Sequence, residues 1–446
     1  MRALFGTDGI RGKAHRYPLD PPTVFALGEA LAHRLVVGAH GVRPLILLGM
    51  DTRESGPEIA IALSAGILAG GGKATFIGIV PTPAVAYLCR TSDAAAGISI
   101  SASHNPFDDN GVKIFGHDGM KLPDAVEEEI EDELRALRRD DVPIPFVELS
   151  PSYELMRKYE DFLVSGVAPN ALNGMRVVLD AGNGAAYEIA RDVFLRAGAN
   201  VQVINDKPNG LNINEDAGAL HPERLAKIVR KSKAELGVAF DGDADRAIFV
   251  DDWGNVRDGD EIIYLWAKKL GADGKLAPPV VVTTVMSNYG FEQQLRQDGI
   301  ELVRAPVGDK YVLEKMLERH AILGGEQSGH IIDLTVHTTG DGIHTALVFG
   351  ELLAREGRSF SQLKTFTPMP QVLLNQEVAS KPALESLPGY QAALAEAEQE
   401  LGGKGRVLVR YSGTENKVRV MVEGPDEAAT RRIAEHLRIV LKDEIK

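Results

Sequence analysis

A succession of strand, polar turn, periodic helix and second strand occurs three times along the chain, and it constrains the fold more than any other feature. The three copies occupy residues 43–78, 175–205 and 278–308. In each copy, a run rich in β-branched and aliphatic residues leads into a helix-length segment with apolar residues at helical spacing, and a glycine precedes the second apolar run. This order is typical of βαβ units, in which a helix packs on a sheet that contains both strands. The sequence therefore predicts three similar α/β domains.

The C-terminal part has a different pattern. From Gln371 onward it reads strand, helix, strand, strand, helix, and we expect the middle pair of strands to form a hairpin that turns at residues 412–416. The predicted fold class is α/β, with three similar α/β domains of mixed sheets between helices and a smaller C-terminal α+β domain. The expected domain ranges are 1–152, 153–254, 255–368 and 369–446, with linkers near residues 141–151, 251–260 and 364–371.

The composition fits a globular chain of several domains and excludes some classes of partner. The 446 residues carry a formal net charge of −14, which argues against the basic surface that general nucleic-acid binding requires. The longest apolar runs are too short to span a membrane, and the N-terminus has no apolar signal segment. The single cysteine, Cys89, cannot form an intramolecular disulfide. We therefore expect a cytoplasmic protein with no membrane or nucleic-acid partner.

Three aspartates alternate directly after the apolar residues 238–240, which we expect to end a strand. Asp241, Asp243 and Asp245 would repel one another at a strand end unless a hard cation lay among them, and their oxygens suit Mg²⁺ or Ca²⁺. An EF-hand loop is excluded, because its sixth position needs glycine where this chain has Arg246, and because strands flank the segment. The sequence therefore predicts a divalent-metal site, and the alternative is a plain acidic turn.

A second polar turn lies between two short apolar runs at residues 323–333. Its glycines bracket Glu326, Ser328 and His330, which occupy alternating positions. A carboxylate and a hydroxyl at this spacing can bind neighbouring sugar hydroxyls, and a histidine beside them can relay protons. The alternative is a simple hairpin in which the glutamate caps the turn.

The C-terminal hairpin carries the local positive charge that an acidic protein needs in order to bind an anion. Arg410 and Arg419 lie on its two strands, and Ser412, Gly413 and Thr414 form the turn. Hydroxyls and backbone N–H groups of such a turn, together with two guanidinium groups, can hold a phosphate. The alternative is a polar loop without a ligand.

A serine-containing turn follows the apolar run that ends at residue 100. If the strand continues, Ser101 and Ser103 point to the same side, so strand alternation does not distinguish them. His104 is not expected to activate a serine, because the chain has no G-x-S-x-G motif there. A phosphorylated serine would offer strong oxygen ligands to a cation held by the three aspartates.

Two basic residues accompany these turns. Arg11 lies between glycines in the N-terminal segment 4–12, and on its own it is no more than a surface charge. Lys113 follows a tight turn that we expect at residues 108–111, from which its side chain can face the serine loop.

Five of these segments, in this order, resemble the α-D-phosphohexomutase superfamily, and the resemblance covers essentially the whole chain. The matching segments read GTDGIRG, SISASHNPFDDNGVKIF, FDGDADR, GGEQSGH and RYSGTENKVRVMVEG. Three α/β domains followed by a smaller C-terminal domain are the architecture of that family, in agreement with the repeated pattern described above.

The resemblance implies a role for each matching residue. It identifies Ser103 as a phosphoserine whose phosphate, with Asp241, Asp243 and Asp245, would hold Mg²⁺. It assigns acid–base and electrostatic work around the transferring phosphoryl group to Arg11, Lys113 and His330. The implied substrate contacts are Arg246 at the phosphoserine, Glu326 and Ser328 at sugar hydroxyls, and Arg410, Ser412, Gly413, Thr414 and Arg419 at the phosphate that does not react.

The resemblance also implies an activity. The motif variants of this chain match family members that act on an amino sugar. The implied activity is that of an isomerase that interconverts glucosamine 6-phosphate and glucosamine 1-phosphate. This reaction feeds UDP-N-acetylglucosamine and peptidoglycan precursors. Glucosamine 1,6-bisphosphate would be both intermediate and activator. The nearest alternative is a sister mutase for glucose or mannose phosphates, and the others are a non-catalytic sugar-phosphate-binding protein and a metal-dependent phosphatase. The expected partner is a small-molecule sugar phosphate, and a homodimer is one assembly that the resemblance allows.

Overall fold

Four sheets follow one another along the chain in the computed structural model, which describes residues 4–6, 8–38, 43–141, 143–412 and 416–445. By compactness the chain divides into two units. One comprises Met1–Thr284 with Ala305–Lys364, and the other comprises Val285–Arg304 with Thr365–Lys446. Among the helices that the structure describes, none combines the length and the apolar character needed to cross a membrane.

The first region forms a six-stranded mixed sheet with four helices. Its elements are β1 (Phe5–Gly6), β2 (Gly9–Lys13), α1 (Pro21–Gly38), β3 (Leu45–Met50), α2 (Gly56–Ala69), β4 (Lys73–Ile79), α3 (Thr82–Thr91), β5 (Ala94–Ile100), β6 (Asp109–Gly116) and α4 (Asp124–Leu137). The strand order is β1-β2-β6-β5-β3-β4, and β3 runs parallel to both β4 and β5. The predicted βαβ unit at residues 43–78 is therefore present as β3, α2 and β4.

Two glycines explain how closely the helices of this region pack. A Cβ atom on Gly28 of α1 would lie 2.4 Å from the carbonyl oxygen of Leu63 in α2. A Cβ atom on Gly66 of α2 would lie 2.0 Å from the carbonyl oxygen of Phe25 in α1. Neither separation is sterically possible, so both positions need glycine for the two backbones to approach.

The second region repeats the strand-helix-strand arrangement. Its elements are α5 (Tyr153–Ser165), β7 (Arg176–Asp180), α6 (Ile189–Arg196), β8 (Asn200–Ile204), α7 (Glu223–Ser232), β9 (Leu236–Phe240), β10 (Ala247–Asp251) and β11 (Val256–Arg257). The strand order is β11-β10-β9-β7-β8, with β7 parallel to β8 and β9, and with β9 and β10 antiparallel. All residues of β9 and β10 are buried, which agrees with their nearly continuous apolar sequences.

The third region contains the elements α8 (Gly259–Ala272), β12 (Val280–Thr284), α9 (Tyr289–Gln297), β13 (Glu301–Ala305), α10 (Asp309–Arg319), β14 (Leu323–Gly325), β15 (Ile331–Asp333) and α11 (Gly342–Glu356). Its strand order is β13-β12-β14-β15. The short strands β14 and β15 pair in antiparallel fashion and enclose the predicted turn with Glu326, Ser328 and His330.

The C-terminal region has the predicted β-α-β-β-α order. Its elements are β16 (Gln371–Glu377), α12 (Pro388–Leu401), β17 (Arg406–Tyr411), β18 (Lys417–Glu423) and α13 (Glu427–Glu444). The three strands form an antiparallel sheet of order β16-β18-β17. The predicted fold class, three α/β sheets and a smaller α+β domain, is therefore confirmed.

The structure refines one expectation about local structure and corrects another. Residues 251–260 contain the short strand β11, which pairs with β10, and the start of α8 at Gly259, so part of this predicted linker has regular structure. The predicted turn at residues 108–111 lies earlier, because β6 begins at Asp109 and its residues Asn110 and Gly111 pair with β2. In both places turn-forming residues are held in extended structure by backbone hydrogen bonds to neighbouring strands.

Candidate active site

The three alternating aspartates form a buried cluster in the loop between β9 and β10. Asp241, Asp243 and Asp245 are at most 5% exposed, and each offers an oxygen within 4.8 Å of the others. Burial and the charges of the other two aspartates raise the pKa of Asp241 well above its ordinary value. The Oδ1 atoms of Asp243 and Asp245 are buried without a hydrogen-bond partner. Buried carboxylate oxygens with no partner fit a hard divalent cation.

Lys113 lies against this cluster from β6. Its Nζ is 2.8 Å from Asp243 Oδ2, 3.4 Å from Asp245 Oδ2 and 3.2 Å from Asp8 Oδ2. Burial lowers the pKa of Lys113, but the charges of Asp243, Asp8 and Asp245 outweigh burial and raise this pKa well above its ordinary value. Lys113 therefore stays a cation beside the aspartates.

Ser103 reaches the same cluster from the turn after β5. Its Oγ donates a hydrogen bond to Asp241 Oδ2 at 2.7 Å, and the residue is 1% exposed. Its backbone has a φ of 52°, in the left-handed region that a serine rarely adopts. The surrounding contacts must therefore hold this conformation.

Ser101 is one of the residues that hold Ser103. Its Oγ accepts a hydrogen bond from the Ser103 backbone N–H at 2.9 Å and donates one to Asp51 Oδ2 at 2.6 Å. Its hydroxyl is therefore engaged on both sides, whereas the Ser103 hydroxyl faces the acidic cluster. Sequence alternation left the two serines equivalent, and the contacts distinguish them.

Arg53 is a second support of the serine loop, and no motif in the sequence indicated this role. Its guanidinium group is fully buried and pairs with Asp51 Oδ2 at 2.8 Å. Its Nη2 donates to the carbonyl oxygens of Ser103 at 3.0 Å and Asn105 at 2.9 Å. Five donors in a rigid fork suit this convergent binding of carbonyl groups. The repeated strand-turn-helix pattern predicts the secondary structure of this segment and no role for Arg53.

A cavity of about 380 Å³ opens beside the cluster. The residues that line it are Leu4, Gly6, Asp8, Gly9, Arg11, His104, Asp245, Arg246, Val307, Gly308, Asp309, Glu326 and His330. Five of the predicted site residues are among them, namely Arg11, Asp245, Arg246, Glu326 and His330. The volume is of the size expected for a small-molecule site, and charged groups converge on it.

Asp8 and Lys121 are charged residues of this region that the sequence reasoning missed. The Asp8 carboxylate contacts Lys113, pairs with Arg11, and accepts from Lys121 Nζ at 2.5 Å. Burial raises the pKa of Asp8, but the charges of Lys113, Lys121 and Arg11 outweigh it and hold this pKa well below its ordinary value. Asp8 lies three residues before Arg11 in the segment GTDGIRG, so the sequence could have indicated Asp8. Nothing in the sequence linked Lys121 to Asp8.

His330 lies at the base of the cavity and is 2% exposed. Its Nε2 accepts a hydrogen bond from the Gly340 N–H at 3.0 Å, so the proton of the neutral ring is on Nδ1, which lies 3.7 Å from Asp245 Oδ1. Glu326 on the same turn is also buried, and its Oε1 accepts from the Gly308 N–H at 3.2 Å. Ser328 is exposed on the turn and is not among the residues that line the cavity.

His104 contacts Ser103, although the absence of a G-x-S-x-G motif argued against a histidine base at this serine. Its Nδ1 lies 3.3 Å from Ser103 Oγ and 3.2 Å from Arg246 Nη1. Burial, followed by the charges of Arg246 and Arg11, lowers the pKa of His104 to about 4. The ring is therefore neutral near pH 7.

The predicted phosphate-binding hairpin lies in the second compact unit. Arg410 and Arg419 are directly opposite each other on β17 and β18, and burial and the charge of Arg419 lower the pKa of Arg410. Like charges placed opposite each other across a sheet are unfavourable without a counter-charge. Ser412 is 3% exposed. Gly413 and Thr414 lie outside the described residues.

Models of one protein family match nearly the whole chain. They are the phosphoglucomutase/phosphomannomutase alpha/beta/alpha domains I, II and III at residues 2–140, 157–254 and 258–368, and the C-terminal domain of that family at residues 373–440.

Curated relatives match over their full lengths. A phosphoglucosamine mutase of Solibacter usitatus is 47% identical over 99% of both chains, and one of Symbiobacterium thermophilum is 47% identical over 100% of both. Among solved structures, a phosphoglucomutase/phosphomannomutase family protein of Burkholderia thailandensis has a TM-score of 0.80 at 24% identity, covering 100% of this chain and 98% of its own. The Aspergillus fumigatus N-acetylphosphoglucosamine mutase, solved in complex with GlcNAc-6P and magnesium, has a TM-score of 0.70 at 20% identity, covering 99% and 96%. The chain thus belongs to the phosphoglucomutase/phosphomannomutase family and, within it, to the phosphoglucosamine mutases.

Proposed function

We propose that the chain interconverts glucosamine 6-phosphate and glucosamine 1-phosphate, with Ser103 as the carrier of the transferred phosphoryl group. The observation that supports this role most directly is the position of the Ser103 hydroxyl, 2.7 Å from Asp241 in a buried cluster of three aspartates at the edge of the cavity. The full-length identity to phosphoglucosamine mutases supports the substrate.

In the first half-reaction, the O1 hydroxyl of glucosamine 6-phosphate attacks the phosphorus of phospho-Ser103. The bond from phosphorus to Ser103 Oγ breaks, the hydroxyl proton is passed to Ser103 Oγ, and glucosamine 1,6-bisphosphate forms. In the second, Ser103 Oγ attacks the phosphorus at O6, that P–O bond breaks, and O6 takes up the proton. Glucosamine 1-phosphate is released and phospho-Ser103 is restored. Such transfers depend on positioning and charge neutralisation.

The residues around the cavity supply those two requirements. Lys113 and Arg11 bring positive charge to the transferring phosphoryl group, and Arg246 is placed to contact the phosphoserine. Glu326 binds sugar hydroxyls in the cavity, and the His330 ring holds a proton at Nδ1. Ser328, exposed on the same turn outside the cavity lining, is a second hydroxyl-binding residue only by the family resemblance. Arg410, Ser412, Gly413, Thr414 and Arg419 hold the phosphate that is not reacting.

The three aspartates, with the Ser103 phosphate, are the residues that would hold Mg²⁺. A bound Mg²⁺ would neutralise charge that develops on the phosphoryl oxygens. The partnerless Oδ1 atoms of Asp243 and Asp245 are available for such a cation. The predicted cytoplasmic location, homodimer and domain ranges remain predictions.

The nucleophile is tested by Ser103→Ala. We expect turnover of glucosamine 6-phosphate to fall at least about a thousandfold, since the substitution removes the hydroxyl that would carry the phosphoryl group. The wild-type chain should gain a mass of roughly 80 Da at Ser103, a mass that exchanges with sugar phosphate. Ser386→Ala, which alters an exposed serine, is the matched control.

The same assays separate the competing functions. A preference for mannose or glucose phosphate would identify a sister mutase, and release of inorganic phosphate without isomerisation would identify a phosphatase. Full mutase activity in Ser103→Ala would contradict the phosphoryl-carrier role.

A further inference from the structure

The cavity contains one carboxylate that the proposed reaction does not use. Four carboxylates line it, and three have other commitments. Asp8 contacts Lys113, Lys121 and Arg11, and Asp245 belongs to the metal-binding cluster. Glu326 is assigned to sugar hydroxyls and accepts the Gly308 N–H. Asp309, at the start of α10, remains without a role.

Asp309 is fixed in place but keeps one oxygen available. Its Oδ2 accepts a hydrogen bond from Lys121 Nζ at 2.5 Å and lies 3.8 Å from His330 Nε2. The Lys121 ammonium group is shared between two carboxylates, because it also lies 2.5 Å from Asp8 Oδ1. It therefore balances only part of the negative charge of Asp309. The Asp309 Oδ1 accepts no hydrogen bond from the described residues, and the side chain is 17% exposed.

The position of Asp309 places it on the same wall of the cavity as Glu326. The Gly308 N–H, in the residue directly before Asp309, donates to Glu326 Oε1 at 3.2 Å. A sugar whose hydroxyls bind at Glu326 would therefore have the Asp309 carboxylate beside it in the same cavity. Glucosamine differs from glucose in one ring substituent, an ammonium group in place of the C2 hydroxyl.

We propose that Asp309 binds the C2 ammonium group of the substrate and makes the site prefer an amino sugar. This inference rests on the proposed function. A charge-assisted hydrogen bond from an ammonium to a carboxylate is stronger than one from a neutral hydroxyl. Because the Asp309 carboxylate lines the cavity, the site binds glucosamine phosphate more tightly than glucose phosphate.

The test is Asp309→Asn, assayed as kcat/KM with glucosamine 6-phosphate and with glucose 6-phosphate. We expect the ratio of the two values to fall at least roughly tenfold, because the variant keeps shape and hydrogen bonding and loses the charge. Asp309→Glu, which keeps the charge, should retain more of the preference than Asp309→Asn. Glu318→Gln removes an exposed carboxylate of the same helix that pairs with Lys315, and should leave the ratio unchanged.

Three results would overturn the proposal or separate it from the proposed function. An unchanged ratio in Asp309→Asn, or equal losses with both sugars, means that Asp309 only positions Lys121. A change of the ratio in Glu326→Gln but not in Asp309→Asn would place the ammonium at Glu326. A wild-type chain with no activity on glucosamine 6-phosphate would instead refute the proposed function.

A measurement on the wild-type chain tests the same idea without a substitution. The preference for glucosamine 6-phosphate should decline as the pH rises through the titration of the sugar's own ammonium group. Glucose 6-phosphate, measured at each pH, corrects for titration of Lys121, His330 and the other groups that line the cavity. A preference independent of pH would contradict the proposal.

Discussion

Two serines only two positions apart have different tasks because their contacts differ. The Ser103 hydroxyl faces Asp241, whereas the Ser101 hydroxyl bridges the Ser103 backbone and Asp51. Burial raises the pKa of Asp51, and its pairing with Arg53 and Ser101 opposes that rise. The left-handed backbone of Ser103 is thus held by a buried polar network beneath it.

Ser101→Ala should weaken the enzyme without removing the phosphorylation site. The substitution leaves the Ser103 N–H without a partner and removes one of the two hydrogen bonds to Asp51 Oδ2, which should cost about 1–3 kcal/mol of the free energy of unfolding. We expect kcat to fall roughly tenfold as the Ser103 loop becomes less well positioned. Peptide mapping should still find phosphate at residue 103. A variant with wild-type stability and no phosphate at Ser103 would contradict the supporting role.

At the scale of elements, the segment between β15 and α11 connects the parts of the site. The Gly340 N–H donates to His330 Nε2, and the Gly342 N–H donates to the Ala244 carbonyl oxygen in the aspartate loop at 3.0 Å. A Cβ atom at Gly340 would lie 2.7 Å from atoms of the His330 ring. The absence of a side chain at residue 340 therefore decides where the histidine lies.

Gly340→Ala should displace His330, which should lower both kcat and the free energy of unfolding. The overlap forces the ring or the backbone to move, at a cost of about 1–3 kcal/mol in the free energy of unfolding. We expect kcat to fall by about tenfold to a hundredfold, because sub-ångström positioning controls such sites. Gly274→Ala is the control, since a Cβ atom there meets nothing within 4 Å and only backbone strain is added. Equal kcat values in the two variants would refute the positioning role.

At the scale of the whole molecule, a buried histidine outside the active site links stability to pH. Burial, then the charges of His344 and Arg90, lower the pKa of His337 to about 3. Its Nε2 lies 3.1 Å from the Pro83 carbonyl oxygen, and its Nδ1 accepts the Thr338 N–H. The folded chain therefore keeps the ring neutral, whereas the unfolded chain protonates it below a pH of about 6.5.

His337→Gln should reduce the loss of stability in acid. Between pH of about 6.5 and 3 the unfolded wild type binds one more proton than the folded form, so its free energy of unfolding falls by up to about 1.4 kcal/mol per pH unit on this account. Above that window the histidine makes no pH-dependent contribution. Urea titrations between pH 4 and 7 should give a shallower slope for the variant, and identical slopes would rule out this origin. The wild type and His337→Gln share all the carboxylates that titrate in acid, so those groups contribute equally to the two slopes.

The described structure agrees with the sequence wherever local pattern decides the outcome. The βαβ units at residues 43–78 and 175–205 are present because β-branched runs and apolar helical spacing dictate both the elements and the faces that they bury. The three aspartates after β9 are similarly local, since their repulsion is a property of their spacing. Residues 256–257 are extended although turn-forming residues surround them, because pairing with β10 overrides the preference of those residues.

The set of elements and the chemistry of the short motifs follow from the amino-acid sequence alone, because both depend on neighbours within a few residues. The tertiary structure decided which distant groups meet: Arg53 under the serine loop, Lys121 between Asp8 and Asp309, and Gly340 against His330. These contacts join residues that are 10 to 188 positions apart. No local propensity encodes such proximity, since it arises only when strands and loops from separate regions pack into one unit.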